Sequence, residues 1–401
     1  MTRAPTAARS ASRRAGGTGM APMETILTNA RLVLEDRVAT GTLVHADGLI
    51  RDVSEGLSRA PGAVDLEGDL LAPGLIEVHT DNLEKHFVPR PGVIWPNPLA
   101  AALVHDMQMA AAGVTTVCDA VCAGGYDADN DYRRAIFHDM VAAIERGVAE
   151  GVFRIDHRLH LRCELSDPNF AEDVAPHVAR PLVALASLMD HTPGQRQWRN
   201  VADLKRFMAG EGLRGADADA LLAKRIAIGA DASAANWPHA VRLFREQGIP
   251  LASHDDTTVE HVRQAVAAGC AISEFPTTLE AARAARAAGL GTVAGAPNVV
   301  RGGSHTGGVA AEELARAGLL DALSSDYVPA SLLQAVERLT RSPGLPLHEA
   351  FGLVTARPAA MLGLADRGRL AAGLRADLVQ LRFLDGTPVV RSLTVAGRRA
   401  L

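Results

Sequence analysis

Eight apolar runs of strand length alternate with Ala-rich amphipathic stretches, and β-rich segments lie at both chain ends. Together they predict an α/β protein: a closed (β/α)8 TIM-like barrel with a small β-sandwich domain built from both chain ends. The chain has 401 residues, 48% of them hydrophobic, so it can bury a large core without disulfides or a structural metal.

Residues 1–22 stand apart. They carry Arg3, Arg9, Arg13 and Arg14 and no acid, while Pro5 and the Gly16-Gly17 pair interrupt any amphipathic helix. The segment reads as a disordered N-terminal extension. From Thr25 the pattern turns strand-like, in TILTNARLVL and then GTLVHADGLIRDVSE. It returns in GLRADLVQLRFLDGTPVVRSLTVAGRRAL, where Asp385-Gly386 is a hairpin signal. Residues 23–69 and 366–401 are therefore assigned to the small domain, and 70–365 to the barrel.

The barrel strands are expected at 70–79, 113–121, 157–165, 181–191, 249–255, 270–275, 291–297 and 321–326. Their apolar content suits a parallel sheet covered by helices. The window from Ile249 to Pro297 is the clearest, with strand, helix, strand, helix and strand in succession. There Thr277 and Glu280 have capping-box spacing ahead of LEAARAARAAG. RIAIGAD (225–231) is a further strand candidate. An open, doubly wound sheet is the competing architecture, but no GxGxxG follows an early strand.

Composition excludes several classes. A net charge of −5 argues against a nucleic-acid partner. No run of 18 apolar residues suggests a membrane span. Four cysteines, Cys118, Cys122, Cys163 and Cys270, make no disulfide framework and point to a reducing, cytoplasmic setting. A small-molecule substrate is expected, and a homo-oligomer is compatible with the composition.

Chemistry gathers where the runs end: His79 and Asp81, Glu164, Asp190 and His191, His254 to Asp256, and Asp326. Barrels of this kind place function at the carboxyl ends of their strands. Imidazole and carboxylate suit Zn, Mn or Fe, and one or two divalent ions per subunit are expected. The i, i+2 spacing of His79 and Asp81 turns both side chains to one side of a strand. A single strand-end histidine is usually structural; agreement across five runs favours a metal site.

PGLIEVHTDNLEKH (73–86) resembles the first-strand motif of the amidohydrolase superfamily, with Asp81 in place of the usual second histidine. AGLRADLVQL (372–381) is similar to the superfamily's last strand. HTDNLEKH, LRCELSD, LMDHTPGQRQ, SHDDTT, SEFPTT and SSDYVP resemble its branch of α-D-ribose 1-methylphosphonate 5-triphosphate diphosphatases, of the bacterial carbon–phosphorus lyase pathway. The resemblance spans about residues 24 to 401. It implies a barrel of the amidohydrolase type with His79, Asp81, Glu164, His191, His254 and Asp326 as metal ligands. Glu164 stands in for a bridging carboxylated lysine, and Asp326 takes the proton of the attacking water. Glu164 and His191 fall on strands three and four, or on four and five. The reaction implied is hydrolysis of the 5-triphosphate to a 5-phosphate and pyrophosphate in phosphonate catabolism.

Such a substrate needs local cations in an acidic chain. Lys85, His86 and Arg90 follow the first strand, Arg196 follows His191, and NVVRGGSHTGGV carries Arg301 and His305 among paired glycines. Glycines let backbone N–H groups approach an anion. These six are the expected substrate-binding residues. Two rivals share the scaffold: an amidohydrolase cleaving a C–N bond in a cyclic amide or aminated ring, and an inactive scaffold protein. The cations oppose the first, and the intact ligand set opposes the second.

Overall fold

The computed structural model describes residues 24–124, 132–210, 214–304 and 306–401. The expected extension over 1–22 and the substrate-binding assignment of His305 lie outside the described residues.

Eight parallel strands form the barrel in simple chain order: Leu75–Thr80, Val114–Ala123, Asp156–Glu164, Val183–Met189, Leu251–His254, Ile272–Glu274, Gly291–Gly295 and Ala322–Ser324. Each of the eight expected runs overlaps one of these strands. A parallel bridge between Thr80 and Asp326 joins the last strand to the first. Asp81 N donates to Asp326 O at 2.7 Å, and Asp326 N donates to His79 O at 3.2 Å. Glu77 completes the seam, accepting from His79 N at 2.8 Å and Ser325 N at 2.7 Å. Closure thus brings the first and last functional strand ends into contact.

The second sheet also has eight strands, supplied by Thr25–Asp65, Leu70–Pro73 and Leu378–Arg399. An isolated bridge between Leu49 and Arg375 draws its two halves together. Its core includes Leu32, Leu43, Ile50, Leu71 and Leu378, all nearly inaccessible. The expected hairpin forms, with Asp385 at φ 49° and Gly386 at φ 82° between paired Leu384 and Thr387. Positive φ at both central positions matches the twist of the flanking strands.

Three local expectations are corrected. The run 70–79 is not one strand: Leu70–Pro73 pairs in the small sheet with Arg31, Leu32 and the strand at 378–384, and only Leu75–Thr80 enters the barrel. Gly74 makes the transfer, because a Cβ there would lie 2.2 Å from the Thr115 side chain. RIAIGAD is helical, inside Gly215–Glu246. The buried residues Leu222, Gly229, Ser233, Asn236, Ala240 and Phe244 recur at helical spacing. The helix Leu279–Ala287 is capped by Thr278, whose hydroxyl accepts from Ala281 N at 3.1 Å. Thr277 is drawn away by Thr257, hydroxyl to hydroxyl at 2.8 Å.

Among the described residues no helix is long and apolar enough to cross a membrane. None of the four cysteines forms a disulfide.

Candidate metal centre and substrate cleft

The ends of strands one, four, five, six and eight converge. His79, Asp81 and Asp326 offer ligand atoms within 4.8 Å of one another, and so do His191, His254 and Asp255. Glu274, at the end of strand six, ties the two groups together: Oε1 lies 3.3 Å from His79 Nδ1 and Oε2 lies 3.3 Å from His254 Nδ1. Each ring thereby turns Nε2 toward a carboxylate, 3.5 Å from Asp81 Oδ1 and 3.7 Å from Asp255 Oδ2 respectively. Phe275 meets both rings edge-on, at centroid distances of 5.0 and 5.3 Å. Asp255, Phe275 and Asp326 all have positive φ. Strain of this kind persists where the surrounding structure over-determines it.

The electrostatics fit a divalent cation. Burial works against protonation of His79, yet Glu274 and Asp81 outweigh it and push the imidazole up to about 10. Burial is likewise outweighed at His191, where Glu164 and Asp255 push it up to about 10. Asp326 moves the other way: burial, then repulsion from Asp81, raises it to about 6. Asp81 Oδ1, Asp255 Oδ2 and His160 Nε2 are buried without a hydrogen-bond partner among the described residues. Burying such atoms unsatisfied is costly, and a cation between them removes that cost.

Not every expected ligand is brought into these groups. Glu164, on strand three, holds His191 from behind: its Oε2 lies 2.5 Å from His191 Nδ1, and Oε1 accepts from Ser166 Oγ at 2.5 Å and His191 N at 3.1 Å. That places His191 after strand four. Asp190 accepts from Ser233 at 2.7 Å and faces away.

The expected cations divide. Lys85 donates to Tyr327 O and sits 5.1 Å from the Tyr327 ring centroid, beside Asp326. Arg301 lines the cleft. Arg196 is corrected: it is buried, donating to His254 O at 2.8 Å and Asp256 Oδ1 at 2.9 Å, so it supports the His254 backbone. His86 is also corrected. Its Nε2 lies 3.0 Å from Gln108 Oε1 and 3.3 Å from Asn82 Nδ2, outside the cleft lining. Arg90 is exposed in a turn closed by its bridge to Val93, outside the cleft lining.

Sequence reasoning missed Glu274 and Arg162, and it placed Asp255 among the strand-end groups without making it a ligand. Glu274 had a signal, since CAISEF carries its carboxylate one residue before the run ends. Arg162 had none: it lies inside the strand Asp156–Glu164, two residues before its end, and donates to Asp81 Oδ2 at 2.6 Å.

The cleft has two lobes that share Asp81, Arg162, His191 and Gln197. One, of about 280 Å³, contains the metal-competent side chains and continues to Arg301, Ser304, Thr306 and Gly308. The other, of about 580 Å³, is lined by Arg133, Arg134, Lys224 and Arg225.

Beneath the cleft runs a buried chain. Asn82 Nδ2 lies 3.1 Å from His105 Nδ1, His105 Nε2 lies 2.7 Å from Asp119 Oδ1, and Asp119 Oδ2 lies 2.7 Å from His157 Nδ1. Burial opposes charge on His157, but Asp119 and Asp106 push it up to about 9, and its counter-charge brings Asp119 down to about 2. His157 is thus raised from an ordinary 6.5; its stabilisation is complete below that value and is lost as pH rises through about 9. Asp119, lowered from 3.8, contributes above that value and loses its share as pH falls through about 2. Asp119→Asn is expected to destabilise the fold by about 3–5 kcal/mol at pH near 6. The deficit relative to the parent shrinks toward pH 9.5, and a Tm difference independent of pH contradicts the pair.

A model of the amidohydrolase family matches residues 129–392. A relative from Escherichia coli (strain K12), an alpha-D-ribose 1-methylphosphonate 5-triphosphate diphosphatase, is 47% identical over 357 residues. The match covers 88% of this chain and 94% of the relative. Among solved structures, 5-methylcytosine deaminase from Klebsiella pneumoniae aligns over 94% of this chain and 97% of its own, with TM-score 0.66 at 17% identity. N-acetylglucosamine-6-phosphate deacetylase from Pasteurella multocida aligns over 94% and 99%, with TM-score 0.61 at 13% identity. Likeness at those identities speaks for the fold.

Proposed function

The chain belongs to the amidohydrolase family, and we propose that it is a metal-dependent diphosphatase acting on α-D-ribose 1-methylphosphonate 5-triphosphate. Water cleaves the bond between the α- and β-phosphoryl groups, leaving the 5-phosphate and pyrophosphate. The observation that carries this reading is the junction, in one cleft, of a metal-competent imidazole–carboxylate set with a dense group of cations. Hydrolysis of a C–N bond needs the first but not the second.

His79, Asp81 and Asp326, and His191, His254 and Asp255, would hold one or two ions of the Zn, Mn or Fe type. A bound divalent ion supplies a water of lowered pKa and neutralises phosphoryl charge. Asp326 holds the attacking water and accepts its proton, as a buried carboxylate within reach can. Glu274 orients His79 and His254, Glu164 orients His191, and Arg162 meets phosphoryl oxygens across Asp81. A loose phosphoryl transition state asks mainly for this positioning and charge stabilisation. Phosphorylated sugars are polyanions confined by membranes, so the enzyme acts in the cytoplasm.

Phosphorus NMR of metal-loaded protein with the triphosphate tests the reading. Pyrophosphate should appear while the methylphosphonate resonance persists. Orthophosphate as the sole product, or no change, overturns it. Dialysis against a chelator is expected to abolish turnover, with Mn or Zn restoring it; full activity after verified metal removal contradicts the assigned ligands.

A further inference from the structure

The two lobes differ in charge in a way that orients the substrate. Apart from the residues they share, the larger lobe presents Arg133, Arg134, Lys224 and Arg225, and the smaller presents Arg301 with the hydroxyls of Ser304 and Thr306. Arg133 and Arg134 are anchored by ion pairs, Nε to Glu84 at 2.9 Å and Nη2 to Asp173 at 2.8 Å. Lys224 and Arg225 come from the long helix Gly215–Glu246 on the facing side. The acids that belong to this lobe alone, Glu164 and Asp167, are engaged by His191 and by the backbone N–H of Asn169. The lobe is therefore built to take a polyanion.

The smaller lobe has a different character. Gly302 and Gly303, at φ 78° and 159°, end the helix Ala296–Arg301 and turn the chain back over the cleft. Asn298 clamps the returning chain ahead of the helix Ala311–Arg316, donating to Val309 O at 3.1 Å and accepting from Ala311 N at 2.9 Å. Phe275, Pro276 and Pro297 add apolar surface beside Arg301. One cation, hydroxyls and apolar wall match a sugar bearing a monoanionic methylphosphonate ester, and not a polyphosphate.

Resting on the function proposed above, we infer that the substrate lies across the junction in one direction. The β- and γ-phosphoryl groups enter the lobe of Lys224 and Arg225. The ribose and its methylphosphonate enter the lobe of Arg301, Ser304 and Thr306. The α-phosphoryl group falls at the shared residues Asp81, Arg162 and His191, beside Asp326. Lys224 and Arg225 then select the leaving group, and Arg301 selects for the methylphosphonate.

Two readouts on the metal-loaded protein separate the lobes. The first is calorimetric affinity for inorganic pyrophosphate. The second is the ratio of kcat/KM for the full substrate to that for ribose 5-triphosphate, which lacks the phosphonate. The Lys224→Ala, Arg225→Ala double variant should weaken pyrophosphate binding about tenfold or more, as loss of charge-assisted bonds does, and leave the ratio near that of the parent. Arg301→Ala should lower the ratio about tenfold and leave pyrophosphate affinity near that of the parent. The opposite pattern, or equal loss of pyrophosphate affinity in both variants, overturns the orientation. If the parent binds pyrophosphate but turns over neither triphosphate, the proposed function falls, while the calorimetry still reports which lobe takes polyphosphate.

Discussion

Asp326→Asn is expected to lower kcat by roughly 10²–10⁴-fold with bound metal close to the parent's. The substitution is nearly isosteric, and asparagine tolerates the left-handed backbone at φ 53°. The bonds that hold this turn involve the backbone: Thr80 Oγ1 donates to Asp326 O at 2.9 Å, and Asp326 N donates to His79 O. They survive the change, and an amide oxygen still faces the site. What disappears is the carboxylate that accepts a proton. Turnover and metal content measured on the same preparation decide the matter. Unchanged turnover removes Asp326 as the proton acceptor, and loss of metal in step with activity reassigns it as a ligand alone.

Glu274→Gln is expected to weaken metal affinity by roughly 10–100-fold in a protein that still folds. Glu274 is fully buried and carries both imidazoles on one carboxylate. Burial disfavours its charge, but His160, His79 and His254 hold it well below the usual carboxylate range. A neutral amide of the same shape loses that charge and must offer an N–H where one imidazole needs an acceptor. One ring is then released from the orientation that points Nε2 at Asp81 or Asp255. A competition titration with a chelating dye measures the change, and circular dichroism reports the fold. An unaltered metal Kd would mean that Glu274 only packs.

Much of this protein is determined locally. The eight barrel strands were legible because strands covered on both faces read as continuous apolar runs, and the helices between them as Ala-rich amphipathic stretches. Asp385-Gly386 announced its hairpin through the backbone conformation that pair favours. His79, Asp81, His191, His254 and Asp326 were legible for a related reason: a parallel barrel presents every strand end on one rim. Where local pattern and true element diverged, packing decided. RIAIGAD alternates like a strand, but its neighbours bury a helical stripe. Leu70–Leu75 reads as one run, yet Gly74 passes it between two sheets.

Partnership was not legible. Glu274 and His79 are 195 positions apart, and only closure of the barrel sets their distance. Arg162 looks like an interruption in an apolar strand until Asp81 arrives opposite it. Arg196 and His86 are basic residues beside the right motifs, and the structure turns them toward Asp256 and Gln108, away from the cleft lining. The sequence by itself determined the scaffold and most of the metal-competent rim, because both follow from periodicities and strand ends that neighbouring residues encode. Tertiary structure decided which carboxylate orients which imidazole and which cations face the cleft, because those contacts join segments whose separation in the chain carries no information about their separation in space.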